Sequence, residues 1–211
     1  MKALAFIWFV LVFDLANAQL VEGRDYKILA KPHLVSSGGK IEVVEYFAYS
    51  CVHCRAQDAA LTDWEKILPA DVQLLRRHVV WGKSMEGLAR AFATINAAGA
   101  LHSLHGAAFE AVQHDRIDLG KEAEFEKWLK KCGVADVGNV MAIYRSFSVA
   151  SQVQAMAKFT RVNRIFSVPM LVVDGKYMVT AAQPKQAQKV LDALLSKVRG
   201  QRLAQPSLGT L

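Results

Sequence analysis

Cysteine is scarce in this chain, with Cys51, Cys54 and Cys132 the three in 211 residues. So few cannot staple a chain of this size, and the fold must rest on hydrophobic burial. Proline is sparse as well, five in all, and four of them punctuate element ends: Pro32, Pro69, Pro169 and Pro184. Beyond the N-terminal segment no uncharged stretch is long enough for a membrane span. The lysines and arginines behind the net charge of +7 are scattered, without a basic stripe or aromatic interleaving. No nucleic-acid module is present, and the charge reads as solubility with weak attraction to acidic surfaces. A second CxxC or an HxxxH, which would complete the four ligands of a zinc site, is missing.

Met1 to Ala18 reads as a targeting segment: Lys2, an apolar stretch from Ala3 to Phe13, and Ala16-Asn17-Ala18 in the small-x-small pattern that precedes cleavage. The mature chain then begins at Gln19. Removing Lys2 and Asp14 takes one charge of each sign, so the balance is unchanged. Export moves the cysteines to a compartment where disulfides persist.

The chemistry-bearing stretch is Glu45-Tyr46-Phe47-Ala48-Tyr49-Ser50-Cys51-Val52-His53-Cys54. With Ile41 to Phe47 as a strand buried on both faces and Ser50 as N-cap, Cys51 falls in the first turn of a helix. There, unpaired N–H groups and the helix dipole favour an anion such as a thiolate. Cys54 lies one turn below, close enough to close a small disulfide ring with one sulfur reachable and the other covered. Dithiol exchange needs that asymmetry, one sulfur to be attacked and one to resolve. The competing reading is half of a zinc site.

The remaining elements follow from period and punctuation. Tyr26 to Leu29 is a short strand and Ser36 to Gly39 a turn. The helix from Cys51 runs to Leu68, and Val72 to Val80 is a strand, completing a right-handed strand, helix, strand unit with the cysteines at the carboxyl end of its first strand. From Ser84 to about Lys158 the spacing is helical; three or four helices fit, including a long one from Asn139 past Met156. Met170 to Val173, the Asp174-Gly175 turn and Lys176 to Val179 form a hairpin. A last helix runs from Pro184 to Gly200, and residues 201 to 211 form a frayed tail. Cys132, spaced with Phe125, Trp128 and Leu129, belongs to a buried helix face as an inert thiol. His33, His78, His102, His105 and His114 show no ligand arrangement.

This α/β order, a βαβ half and a ββα half interrupted by helices, with CxHC after a leader and Val168-Pro169-Met170 before the hairpin, resembles the thioredoxin fold. Within it, the chain is similar to the exported disulfide oxidases of the DsbA family. The resemblance covers nearly the whole mature chain. It implies a discontinuous thioredoxin-like domain at 19–82 and 159–211, with a helical insertion at 83–158.

Function follows as an expectation: a periplasmic thiol:disulfide oxidoreductase that donates the Cys51-Cys54 disulfide to newly exported polypeptides through a mixed disulfide. It would need no cofactor or metal, act as a monomer, and be reoxidised by a DsbB-like, quinone-linked membrane oxidase. Cys51 is the nucleophile and Cys54 the resolving thiol. His53 tunes the redox poise, or is a plain exposed residue. Val168-Pro169, which the resemblance places as a cis bond opposite the cysteines, holds an extended peptide; read without the fold, Pro169 merely starts an edge strand. Val52 departs from the proline frequent in the family. Glu45 matches the family's buried acid and can relay a proton, while Arg76 or Arg77 stands where a lysine is usual; alternatively Glu45 and Arg76 are an ion pair without chemistry. A reductase or isomerase kept reduced by a membrane protein, and a non-redox metal- or peptide-binding module, are the other functions this pattern allows.

Overall fold

The structure, a computed structural model, describes residues 20–29, 32, 39–179 and 183–204. The expected leader, His33, the turn at 36–38 and the end of the tail at 205–211 lie outside the described residues. Five strands form one sheet in the order β1-β5-β4-β2-β3: β1 (Tyr26–Ile28), β2 (Ile41–Phe47), β3 (Val72–His78), β4 (Met170–Val173) and β5 (Tyr177–Val179). β2 pairs parallel with β3 across the crossover helix α1 (Val52–Glu65), and antiparallel with β4.

Every residue of β2 is buried, as its apolar character on both faces requires. Side chains alternate across the pleat. Ile41 and Val43 join the core under α1 and the last helix, α7 (Pro184–Ala204), and Phe47 on the same face joins the core of the helical block. Val44 and Tyr46 face the other way, where Phe159 stacks on Tyr46 at 5.0 Å between ring centres. Glu45, between Val43 and Phe47, is therefore directed into the core beneath α1. Its in-register neighbour on β3 is Arg76, so Arg76 shares that face and Arg77 turns to the opposite one.

The helical block holds five helices, one or two more than the sequence suggests: α2 (Glu86–Ala97), α3 (Leu101–Gln113), α4 (Glu122–Lys131), α5 (Val137–Arg145) and α6 (Phe147–Val162), preceded by a single 3₁₀ turn. The expected long helix past Met156 is two, because Ser146 is extended (φ −67°, ψ 152°) and its hydroxyl accepts the Val149 N–H at 3.2 Å, capping α6. Helix α1 stops at Glu65, short of Leu68. Helix α7 instead passes Gly200, because Arg202 reaches Asp174 at 2.6 Å and the carbonyls of Gly39 and Lys40.

In the hairpin, Asp174 and Gly175 both take positive φ (52° and 61°), and the Lys176 N–H closes the turn on the Val173 carbonyl at 3.1 Å. Cys132 is a correction. It caps the end of α4 and is exposed, because Gly133 (φ 73°) turns the chain away before the apolar stripe reaches it. No helix among the described residues is long and apolar enough to cross a membrane.

Candidate active site

Strand β2 ends at Phe47, and the next four residues turn back on themselves, with the Cys51 N–H donating to the Ala48 carbonyl at 2.9 Å. The N-cap of α1 is Cys51 itself, not Ser50. Its Sγ accepts the Cys54 N–H at 3.2 Å, so a first-turn amide is aimed directly at the sulfur. Tyr49 and Cys51 also offer their carbonyls to Gln113 at the end of α3, whose Nε2 donates at 2.8 and 3.1 Å. The helical block thereby braces the loop that presents the cysteines. Glu110 of the same helix pairs with Arg55 of α1.

The two sulfurs differ sharply in setting. Cys51 is half-buried, while Cys54 is fully buried among Phe47, Tyr49 and the side chains of the helical block. Both thiols are free. Burial, reinforced by the hydrogen bond with Cys51, raises the Cys54 pKa far above that of an ordinary thiol. Val52 and His53 point outward into solvent, Val52 with 70% of its surface exposed. Across from Cys51 the Val168-Pro169 bond is cis, and the Cys51 thiol donates to the Val168 carbonyl at 3.6 Å. Positions separated by more than a hundred residues thus meet at one point.

Beneath Cys54 lies a buried ionic group. Arg76 donates from Nε to Asp58 Oδ1 at 2.8 Å, from one terminal nitrogen to Glu65 at 3.0 Å and from the other to Thr62 at 3.2 Å. Its Nε is 3.6 Å from Glu45 Oε2, beyond a hydrogen bond, and both Glu45 oxygens lack one. The expected Glu45–Arg76 pair is therefore a loose contact, with Asp58 the tighter partner. Burial first, and the neighbouring Asp58 charge second, lift the Glu45 pKa to about 8 despite Arg76. For Asp58 burial opposes ionisation, but hydrogen bonding and charge from His105 and Arg76 together hold it below the usual carboxylate range.

Two histidines without an expected role enter here. His78 on β3 is buried, accepts the Tyr49 N–H at Nε2 (3.2 Å) and donates from Nδ1 to the Val79 carbonyl (2.7 Å). Burial lowers its pKa to about 4, so it stays neutral. His105 of α3 reaches into the same group: one ring nitrogen is 2.9 Å from the Tyr49 hydroxyl and the other 3.4 Å from Asp58 Oδ1. A carboxylate oxygen from each of Glu45 and Asp58 and a ring nitrogen of His105 all lie within 4.8 Å of one another. No signal in the sequence singled out Asp58, Gln113, His78 or His105, since each sits at ordinary helix or strand spacing in a different element.

Comparison with known proteins agrees with this geometry. The model of the DSBA-like thioredoxin domain matches residues 42–192. The thiol:disulfide interchange protein DsbA of Pseudomonas aeruginosa is 34% identical over 180 residues, covering 84% of this chain and 85% of that protein. Its counterpart in Bordetella parapertussis is 31% identical over 189 residues, 87% of this chain and 90% of that one. Among solved structures, Pseudomonas aeruginosa DsbA superposes with a TM-score of 0.81 at 33% identity, over 89% of this chain and 98% of that one. Reduced DsbA1 from Neisseria meningitidis superposes with a TM-score of 0.81 at 33% identity, over 89% and 100%. The α/β sheet with its helical insertion is accordingly thioredoxin-like, and the Cys51-Cys54 pair occupies the CxxC position. This chain belongs to the DsbA-like thioredoxin-domain family and is a thiol:disulfide oxidoreductase.

Proposed function

We propose that the protein is a periplasmic disulfide oxidase, exported by a leader removed after Ala18. It donates the Cys51-Cys54 disulfide to newly exported polypeptides and is reoxidised by a DsbB-like, quinone-linked membrane protein. The disulfide is its only redox group, with no further cofactor, and it acts as a monomer. The observation that carries this reading is the difference between the two sulfurs: Cys51 at the mouth of α1 under an aimed amide, and Cys54 sealed in the core.

A client thiolate attacks Cys51 Sγ and breaks the disulfide, and the electron pair goes to Cys54. Burial makes a lasting charge on Cys54 costly, so that sulfur takes a proton, with Glu45 the nearby acid able to hold one at neutral pH. A second client thiolate then attacks the mixed disulfide, and Cys51 leaves as thiolate, its charge met by the Cys54 N–H. Two client thiols have lost two protons, one to Cys54 and one to solvent.

His53 and Val52, exposed between the cysteines, set the approach of the client and tune the couple. The client backbone lies along Val168-Pro169, whose carbonyl faces Cys51. Two residues away begins a cleft of about 520 Å³, where Trp81 and Phe166, 48% and 80% exposed, offer apolar surface to an unfolded chain. Residues 83–158 act as an inserted helical domain within a thioredoxin-like domain spanning 19–82 and 159–211.

Equilibration of the Cys51-Cys54 couple against a glutathione series tests the direction. An oxidase gives a potential well above the roughly −300 mV of structural disulfides; a bridge as resistant as those overturns the reading. Cys51→Ser abolishes exchange, and Cys54→Ser traps the mixed disulfide with a client peptide, visible on a non-reducing gel.

A further inference from the structure

Cys54 gains a proton in each reductive half-turn and loses it in the next, yet it is closed to solvent. Glu45 beside it is no better placed, with none of its surface exposed and neither carboxylate oxygen hydrogen-bonded. Arg76, the cation facing Glu45, keeps its proton at all ordinary pH and orients the carboxylates without carrying anything. A proton arriving at Glu45 therefore needs another group to bring it.

We propose that His105 is the relay residue that passes this proton between the Asp58–Glu45 pair and the molecular surface, acting on Cys54 through Glu45. Three observations converge on it. The imidazole comes from α3, outside the sheet, and is buried among Phe47, Phe92 and Phe109, a setting that holds the ring in place. Its Nε2, with no closer partner, lies 3.4 Å from Asp58 Oδ1, with Glu45 inside the same 4.8 Å group. Its opposite nitrogen meets the Tyr49 hydroxyl at 2.9 Å, and a hydroxyl donates or accepts, so either protonation state of that nitrogen is satisfied.

His105 also lines a cavity of about 370 Å³ shared with Asp58, Thr62, Glu65, Arg76 and His102, the route on which protons enter. The titratable and charged groups facing it are Glu45 from β2, Tyr49 from the loop, Asp58 and Glu65 from α1, Arg76 and His78 from β3, and His102 of its own helix. Because Arg76 already supplies the cation these carboxylates face, the group is suited to protons rather than to a metal ion.

In the forward half-turn the Cys51–Cys54 bond breaks, Cys54 Sγ takes the electron pair, and Glu45 gives it a proton. His105 then returns a proton to Glu45 through Asp58 and is itself reprotonated from the cavity. Reoxidation runs the same transfers backward, and no further oxidant or reductant is involved beyond the two dithiol couples.

The inference rests on Cys54 being the resolving thiol, and the experiment separates the two. Oxidised protein is mixed with dithiothreitol, and the reduced protein with oxidised glutathione, across the pH range, for wild type, His105→Gln and His105→Ala. His105→Gln keeps a polar contact to Tyr49 but cannot relay; it slows both directions by about ten-fold or more and leaves the equilibrium between them unchanged. Free imidazole restores His105→Ala. A His105→Gln protein that exchanges at the wild-type rate at every pH overturns the proposal, as does a loss in which the equilibrium moves with the rate and imidazole restores nothing. If the wild-type disulfide does not exchange with dithiothreitol at all, the oxidase reading fails instead.

Discussion

Glu45 shows how one residue carries two kinds of consequence. Its acid is held protonated by burial, which raises its pKa from 4.5 to about 8. The folded protein therefore binds this proton more tightly than the unfolded chain does, so the group contributes its full stability below pH 4.5 and loses it as pH rises toward about 8. Glu45→Gln mimics the protonated acid and should raise stability at neutral pH by about 1–3 kcal/mol, read from urea denaturation. The same variant should slow exchange at Cys54, because the amide has no proton to give. Stability gained together with rate lost is the signature of a group retained for chemistry. The pairing of Glu45 with β3 was half legible. The sequence places an arginine of β3 opposite Glu45 but leaves Arg76 and Arg77 open; the parallel register in the fold selects Arg76, and Asp58 as its tighter partner depends on where α1 crosses the sheet.

At the scale of elements, the active loop is held by a helix that does not belong to the sheet. Gln113 of α3 donates to two carbonyls of that loop, so Gln113→Ala should leave the fold intact and raise backbone hydrogen exchange of residues 49–51. The helical block has a tight joint of its own: a Cβ at Gly87 would stand 2.4 Å from the Gly120 carbonyl oxygen. Gly87→Ala forces α2 away from that backbone and should cost about 1–3 kcal/mol by denaturant titration. Element types were legible from periodicity. Their ends were not, because capping overrides hydrophobic spacing: Ser146 splits one expected helix into two, and Gly133 leaves Cys132 outside. Arg202 lengthens α7 past Gly200 by contacts to Asp174 in the hairpin turn and to the carbonyls of Gly39 and Lys40, residues distant in sequence.

For the whole molecule, two buried groups push stability in opposite directions over overlapping pH windows. His78 is buried and neutral, its pKa lowered from 6.5 to about 4, so the unfolded chain takes up a proton first and stability is lost as pH falls through that window. Thermal unfolding across pH should show His78→Gln removing a loss, of up to about 1.4 kcal/mol per pH unit, that sets in below pH 6.5, and Glu45→Gln removing an opposite loss as pH rises from 4.5 to about 8. The sequence by itself determined the strand and helix types, the family, and the CxxC at the carboxyl end of a buried strand, because these depend on spacing within one element or on punctuation beside it. Only the tertiary structure decided that Gln113, Asp58 and His105 gather around that pair. Their meeting is fixed by register and helix crossing, and those arise when separate hydrophobic faces pack together.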